Sequence, residues 1–287
     1  MKKLIAFTLV AVMALTMLTA CGSDDTKDDG ASGDTTVFKM GFDAEYPPYT
    51  YMDEEGNYTG FDIEMAQAVC KELGWELEMV PVDWDAKDME LSSGAIDCIW
   101  SGFTMNGLEN KFAWSTPYVD NSQVILTKGN SGIATLADLT GKKVGVQAAT
   151  SALKLLQGDK ADLAATFAEL TEFNSYNTAF MELEAGSIDA VAIDIGVAQY
   201  QVASRPEGEY VILDEIVDKE VYAIGFRVED TEMRDQVNEA YLKLVADGTY
   251  AELAEKYELT DFICLTAGDK TDETGTGEED AGEEAAE

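Results

Sequence analysis

The chain has 287 residues and a net charge of −37, because 56 acidic residues outnumber 19 lysines and arginines, and it contains no histidine. The missing histidine excludes the commonest general base and metal ligand. A field this negative repels nucleic acid and anionic membrane surfaces, and it favours a cationic or zwitterionic small molecule as partner. An acidic surface also serves simply to keep a protein soluble, and that interpretation stays open.

The first residues have the pattern of a bacterial export signal. Lys2 and Lys3 precede an apolar run, residues 4–18, and the segment 18–21, Leu-Thr-Ala-Cys, resembles a lipoprotein cleavage box. The run of about 15 residues is short of the roughly 20 that span a bilayer, so removal is favoured over retention as a membrane helix. We expect residues 1–20 to be a signal peptide and Cys21 to carry lipid, which places the protein outside the cytoplasm and anchored to the cell membrane.

The chain after the leader begins with a polar stretch and then alternates strands with helices. Residues 21–35 are rich in Ser, Asp, Gly and Thr and are predicted to form a flexible tether. Short apolar runs predict strands at 37–42, 77–82 and 96–100, helical periodicity predicts helices at 61–73 and 88–93, and an extended run follows at 123–128. This alternation is typical of an α/β fold with a parallel sheet.

A second round of alternation begins at Gly141. Strands are predicted at 143–147, 171–173 and 190–193, helices at 151–157, 177–185, 195–205, 231–247 and 250–257, and a further extended run at 222–227. Two βαβ-rich halves joined by two extended runs predict a clamshell of two α/β lobes with crossing hinge strands. We assign residues 36–125 and 223–263 to the first lobe, 126–222 to the second, and 264–287 to an acidic disordered tail.

Three cysteines remain once Cys21 is assigned to lipid, and an odd number leaves at least one thiol unpaired. Cys70 falls in a predicted helix and Cys98 in a predicted strand, so we expect both to be buried structural thiols. A bridge between Cys70 and Cys264 stays open, because spacing alone does not decide it.

Seven ordered sequence blocks give the chain a resemblance to a known family. The similarity spans about residues 36–259 and points to the extracellular solute-binding component of polar amino-acid ABC transporters, which has the type II periplasmic-binding-protein fold. The blocks are Gly41-Phe-Asp-Ala-Glu-Tyr-Pro-Pro-Tyr, Gly60-Phe-Asp-Ile-Glu, Ser93-Gly-Ala-Ile-Asp-Cys, Ser101-Gly-Phe-Thr, Trp114-Ser-Thr-Pro-Tyr, Leu139-Thr-Gly-Lys-Lys-Val-Gly-Val-Gln and Gly186-Ser-Ile-Asp-Ala-Val-Ala-Ile-Asp.

The resemblance implies ligand-binding residues in both lobes. Tyr46 and Trp84 match aromatic positions on opposite sides of the ligand, where π-faces hold an ammonium or an apolar group; a place in the core is the alternative for each ring. Asp194 matches the acid that pairs with the ligand's ammonium group, and capping the following helix is its alternative. The remaining implied residues are polar or small: Asp43, Ser101, Gly102, Thr104, Gln147, Thr150 and Ser151.

One departure from the family pattern changes the expected ligand. The resemblance implies an arginine that clamps the ligand's carboxylate seven residues before Ser115, and this chain has Leu108 there. With Asp43 and Asp194 nearby, the cleft is predicted to be negative, so an amine with a masked or absent carboxylate becomes a candidate beside an ordinary amino acid. Lys87 is a possible substitute cation, although a lysine there is more typical of a solvated helix face.

The sequence therefore predicts a binding protein without catalytic residues. We expect a monomer that captures an amino acid or related amine between two lobes and delivers it to a membrane permease, with neither a cofactor nor a metal. A clamshell sensor and an exported dehydratase on the same fold are the alternatives. Leu108 argues against the dehydratase, because enzymes of that kind also hold substrate carboxylates with arginine.

Overall fold

The computed structural model describes residues 35–268. The predicted signal peptide, Cys21, the tether up to residue 34 and the tail from residue 269 lie outside these residues. Within 35–268, none of the helices is long and apolar enough to cross a lipid bilayer.

Strands and helices alternate along the described chain. The helices are α1 Phe61–Leu73, α2 Lys87–Ser93, α3 Ser151–Gln157, α4 Ala161–Ala164, α5 Tyr176–Ala185, α6 Ile195–Ala203, α7 Thr231–Ala246 and α8 Thr249–Lys256. The strands are β1 Val37–Phe42, β2 Glu45–Tyr46, β3 Thr50–Met52, β4 Tyr58–Thr59, β5 Glu76–Pro81, β6 Cys98–Ile99, β7 Ala113–Trp114, β8 Val119–Lys128, β9 Lys143–Gln147, β10 Glu169–Phe173, β11 Ala190–Asp194, β12 Tyr210–Ile212, β13 Asp218–Tyr222 and β14 Gly225–Phe226.

The first sheet has the strand order β5-β1-β6-β14-β7. The strands β5 and β6 pair in parallel with β1, whereas β14 runs antiparallel to β6 and β7. Helix α1 covers this sheet with Ile63, Met65 and Val69, which are fully buried, and ends at Gly74 in the left-handed conformation that caps a helix. This sheet and its helices form what we call lobe 1.

The second sheet has the order β10-β9-β11-β8-β12, with β13 also paired to β8. The strands β10 and β11 are parallel to β9, and β8 is antiparallel to its neighbours β11, β12 and β13. All five residues of β11 are buried, as expected for a strand covered on both faces. This sheet and its helices form what we call lobe 2.

The chain passes between the two sheets at two adjacent points. It leaves lobe 1 after β7 and enters β8, and it returns from β13 to β14. The strands β8 and β13 pair antiparallel, with Val119 opposite Tyr222 and Gln123 opposite Asp218. Since β8 pairs with lobe 2 strands along its length, the expected boundary between residues 125 and 126 lies inside a continuous strand, and the crossing segments are 115–118 and 223–224.

Helix and strand predictions from the sequence agree with most of the structure. The predictions at 37–42, 61–73, 143–147 and 151–157 are confirmed to the residue. The extended run predicted at 222–227 does contain a crossing between the lobes, but it is not one continuous strand: β13 ends at Tyr222, the chain crosses at 223–224, and β14 follows. The short strands β2, β3, β4, β7 and β12 and the one-turn helix α4 were not predicted, since so few residues carry too little periodicity to indicate an element. Strand β13 was also not predicted, apart from its last residue.

The buried cysteines match their expected structural role. Cys70 and Cys98 are free thiols in the described part of the chain, each at most 2% exposed. The open possibility of a bridge from Cys70 to Cys264 is therefore not realised, and Cys264 Sγ instead donates to the carbonyl of Pro117 at 3.5 Å. Burial raises the pKa of the Cys70 thiol to about 12, which keeps it protonated and unreactive.

The end of the described chain packs on lobe 1. Ile263 forms a bridge to Val119, and Leu265 is 9% exposed within the main apolar cluster. The packed chain therefore continues past residue 264, where the tail was expected to begin.

Gly60, at the start of α1, holds a backbone conformation that only glycine adopts readily. Its φ is 123° and ψ is 167°, and an added Cβ would lie 2.2 Å from the carbonyl oxygen of Tyr49. We expect Gly60→Ala to lower the free energy of unfolding by about 2–5 kcal/mol through combined strain and overlap. Urea denaturation measures this.

Gly56→Ala is the matched control, because Gly56 also has a positive φ of 86° but an added Cβ would meet nothing within 4 Å. We expect this variant to lower the free energy of unfolding by about 1–2 kcal/mol. Equal losses in the two variants would show that the contact with Tyr49 does not constrain this turn.

Candidate functional site

A cavity of about 420 Å³ lies between the two lobes. It lies beyond the carboxyl ends of β1 and β11, which is where open α/β sheets place their binding crevices. Residues from lobe 1 and lobe 2 both line it. All ten predicted ligand-binding residues are among them: Asp43, Tyr46, Trp84, Ser101, Gly102, Thr104, Gln147, Thr150, Ser151 and Asp194.

Two buried carboxylates lie side by side where the hinge strands meet. Asp194 and Glu220 are 3% and 6% exposed. Asn121 Nδ2 donates to Asp194 Oδ1 at 2.7 Å and to Glu220 Oε1 at 2.6 Å, and Gln123 Nε2 donates to the same two atoms. The strand register produces this arrangement, because Gln123 lies opposite Asp194 and Asn121 lies opposite Glu220.

Asp194 precedes α6 without capping it. Its side chain makes no hydrogen bond to the first turn of that helix. It instead accepts from the hydroxyls of Tyr222 at 2.7 Å and Tyr176 at 3.3 Å. The capping alternative is therefore wrong, and the carboxylate belongs to the buried network at the cavity.

Glu220 connects this network to both lobes. Its Oε1 accepts from Thr104 Oγ1 at 2.9 Å on the lobe 1 side and from Ser151 Oγ at 3.1 Å on the lobe 2 side. Burial, and after it the neighbouring charge of Asp194, together raise the pKa of Glu220 to about 7. The pair therefore favours either a proton or a cationic group that neutralises it.

Asp43 and Gln147 join the lobes across the cavity. Gln147 Nε2 donates to Asp43 Oδ2 at 2.7 Å. Burial raises the pKa of the Asp43 carboxyl above its usual range, although this hydrogen bond opposes the shift. The backbone N–H of Asp43 donates to Ser101 Oγ at 3.2 Å, so the Ser101 hydroxyl is already used within lobe 1.

The backbone N–H of Gly102 donates to a buried carboxylate and is therefore not available to a ligand in the cavity. That N–H donates to Asp62 Oδ2 at 2.8 Å, and the hydroxyl of Tyr118 donates to the same oxygen at 2.9 Å. The φ of Gly102 is 53°, and an added Cβ would lie 2.6 Å from the ring of Tyr46. The glycine is required here because a ring packs directly on the backbone.

The two predicted aromatic residues line the cavity from different neighbourhoods. Tyr46 stacks on Tyr49 with ring centroids 5.6 Å apart, and its hydroxyl lies 2.9 Å from that of Tyr222. Trp84 meets Phe103 edge-on at 5.8 Å, and Phe103 also lines the cavity. Both rings thus pack against core residues and also line the cavity.

The loop from Gln147 to Ser151 is organised by Thr150. Its Oγ1 accepts from the N–H of Leu153 at 3.3 Å and donates to the carbonyl of Gln147 at 2.7 Å, which caps α3. Ala149 has a φ of 56°, in the left-handed region that favours glycine. The alanine therefore carries backbone strain at the cavity edge.

Lys87 lies in the cavity wall, and the expectation of a solvated helix face is wrong for it. The residue is 7% exposed, because the loop at Ala149 of lobe 2 covers it. Leu108 also lines the cavity and packs with Trp84 in an apolar cluster of lobe 1. Among the described lining residues, the lysines Lys87, Lys111 and Lys154 equal in number the aspartates Asp43, Asp88 and Asp194. The cavity therefore has positive groups that the prediction of a negative cleft did not include, beside the acidic pair of Asp194 and Glu220.

Sequence reasoning missed Glu220, Asn121, Gln123 and Phe103. The sequence feature that could have indicated the first three is the alternation of side chains along a strand. Asn121 and Gln123 share one face of β8, and Glu220 and Tyr222 share one face of β13. That signal has meaning only once β8 and β13 are known to pair across the hinge.

The chain is similar to known proteins over most of its length. Residues 38–260 match the bacterial extracellular solute-binding proteins, family 3. The arginine-binding extracellular protein ArtP of Bacillus subtilis is 32% identical over 253 residues, which are 87% of this chain and 95% of that protein. The L-cystine-binding protein TcyJ of Escherichia coli is 28% identical over 255 residues, covering 87% of this chain and 94% of that protein.

A solved structure has the same fold. The substrate-binding protein of an ABC uptake transporter from Streptococcus pneumoniae, determined with bound histidine, superposes with a TM-score of 0.74. It is 34% identical and covers 77% of this chain and 92% of that chain. The predicted type II periplasmic-binding-protein fold is thereby confirmed.

The raised pKa of Glu220 predicts a pH dependence of stability. The folded protein holds a proton on Glu220 up to about pH 7, whereas the unfolded chain releases it near the ordinary value of 4.5. Stability is therefore lost as the pH rises through this window. We expect Glu220→Gln to remove the decrease in stability that comes from ionisation of Glu220. At pH 8 this raises the free energy of unfolding by on the order of 1–3 kcal/mol.

The measurement is urea denaturation of the ligand-free protein at several values between pH 4.5 and pH 8. Glu209→Gln is the control, because Glu209 is exposed. If the free energy of unfolding changes with pH in the same way in Glu220→Gln, in the control and in the original protein, then Glu220 is ionised over the whole range. The raised pKa assigned to Glu220 is then wrong.

Proposed function

The chain belongs to the bacterial extracellular solute-binding proteins, family 3, and from this we propose that it captures one amino acid between its lobes and delivers it to the permease of an ABC importer. The observation that supports the amino acid as ligand is the cavity of about 420 Å³, which places buried carboxylates and a buried lysine around one space. A zwitterion brings one charge of each sign to such a lining. The relatives reported above bind arginine, cystine and histidine.

The two ends of the ligand find different partners in this proposal. Its ammonium group meets Asp194, which lines the cavity, with Glu220 directly behind it. The rings of Tyr46 and Trp84 contact the side chain. An amine without a carboxylate fits less well than the absence of the arginine alone suggested, because the buried Lys87 adds a positive charge to the cavity lining.

Capture works by closure of the two lobes. Direct contacts already join them, with Gln147 donating to Asp43 and Lys154 Nζ donating to the carbonyl of Gly107 at 3.0 Å. A ligand shifts the population toward the closed state only by contacts that it makes to both lobes at once. Binding without chemistry is sufficient for this role, and the proposal includes neither a cofactor nor a metal.

Binding is tested by isothermal titration with L-arginine, L-histidine and L-cystine. We expect saturable binding of at least one, and Asp194→Asn is expected to weaken it about 30- to 1,000-fold, because one partner of a buried charge-assisted contact is removed. Asp120→Asn is the control, since Asp120 is exposed on the same hinge strand that carries Asn121. Equal affinity of the Asp194 and Asp120 variants would contradict the proposed site.

Family members act outside the cytoplasm, and we propose further that this protein is held at the membrane by lipid on Cys21. This rests on the sequence of residues 1–21. We expect Cys21→Ala to abolish incorporation of labelled fatty acid and to move the protein from the membrane fraction to the soluble fraction. Cys70→Ala, at a buried thiol, is expected to keep the label. Label retained on Cys21→Ala would refute the anchor.

A further inference from the structure

Lys87 is a buried cation that the capture of the ammonium group does not use. It is the first residue of α2, is 7% exposed and lines the cavity. Lysine is almost never buried to this degree without a partner, because removing the ammonium group from water is costly. Burial accordingly lowers the pKa of Lys87 to about 8, which leaves it mostly charged at neutral pH.

The hydrogen bonds of Lys87 do not neutralise it. Its Nζ donates to the carbonyl of Trp84 at 2.9 Å in lobe 1 and to the carbonyl of Ala149 at 3.1 Å in lobe 2, and it lies 4.6 Å from the Trp84 ring centroid. An ammonium group has three donors, so one has no hydrogen-bond partner among residues 35–268. Within the same range, the ion pairs do not include Lys87.

The other two lysines of the cavity are in different situations. Lys111 is exposed and pairs with Asp88 at 2.5 Å, and Lys154 is exposed and donates to the carbonyl of Gly107. Lys87 alone of the three is withdrawn from water while it contacts both lobes. The charged groups that act on it are Asp88, Lys111, Asp85 and Asp43.

From this geometry we propose that Lys87 binds the carboxylate of the amino-acid ligand and thereby sets the preference of the cavity for acids over neutral or decarboxylated amines. The inference rests on the proposed function and adds to it the residue that selects the carboxylate. The free donor of Nζ supplies the charge-assisted hydrogen bond, and the two carbonyl contacts fix the ammonium group between the lobes. The carboxylate is then bound only when the lobes are closed.

The test compares each amino acid with its own amide, so that the ligands differ in the carboxylate alone. L-arginine with L-argininamide and L-histidine with L-histidinamide are titrated into the protein, Lys87→Met and Lys87→Arg. We expect the original protein to prefer the acid, Lys87→Met to lose about 30- to 1,000-fold in affinity for the acid with little change for the amide, and Lys87→Arg to restore part of the preference.

Lys111→Met is the matched control, because it removes the same charge from the same cavity at an exposed, paired position. It is expected to change the ratio of acid to amide affinity by less than about threefold. Circular dichroism of each variant reports whether it folds.

The remaining outcomes distinguish a failure of the role of Lys87 from a failure of the proposed function. An unchanged ratio in Lys87→Met, while acids still bind, refutes the role of Lys87 and leaves the proposed function standing. An equal loss for acid and amide shows that Lys87 only holds the lobes together and refutes the carboxylate contact. If the original protein binds the amides as tightly as the acids, the carboxylate contact is refuted while the capture of an amino acid stands. If it binds neither these four compounds nor L-cystine, the proposed amino-acid ligand is refuted, and the carboxylate contact with it.

Discussion

The pairing of β8 with β13 at the hinge is the constraint on which the site depends. This pairing puts Asn121 opposite Glu220, and the pairing of β8 with β11 puts Gln123 opposite Asp194. Two carboxylates are thereby buried against shared amide donors, where low polarity makes an uncompensated charge expensive. The acidic end of the cavity is therefore built by strand register, and shifting the register by one residue would turn these side chains to the other face.

The cavity combines this rigid end with contacts that exist only while the lobes are together. Gln147 reaches Asp43 and Lys87 reaches the carbonyl of Ala149, each from one lobe to the other. Such contacts stabilise closure modestly because each replaces a hydrogen bond to water. A ligand that bridges the lobes adds to them, so its binding free energy is directly linked to the closed population.

Several residues expected to contact a ligand also make hydrogen bonds that stabilise the fold. Thr150 caps α3, Ser101 accepts from the backbone of Asp43, and Gly102 donates to the buried Asp62. Burial raises the pKa of Asp62 to about 7, so this support is itself sensitive to protonation. The cavity wall is therefore preorganised by the same residues that line it, which lowers the entropy lost when a small molecule binds.

The sequence by itself determined the longer helices and strands and ten of the residues that line the cavity. Periodicity located α1 and β9 to the residue, and the family resemblance implied ten ligand-binding positions that all line one cavity. The tertiary structure alone decided what these local patterns do not contain. Glu220 reaches Asp194 because strands distant in sequence pair across the hinge, and Lys87 is buried because a loop of lobe 2 covers it. The charge and burial of these side chains depend on contacts between segments that are distant in sequence. A pattern of neighbouring residues does not show such contacts.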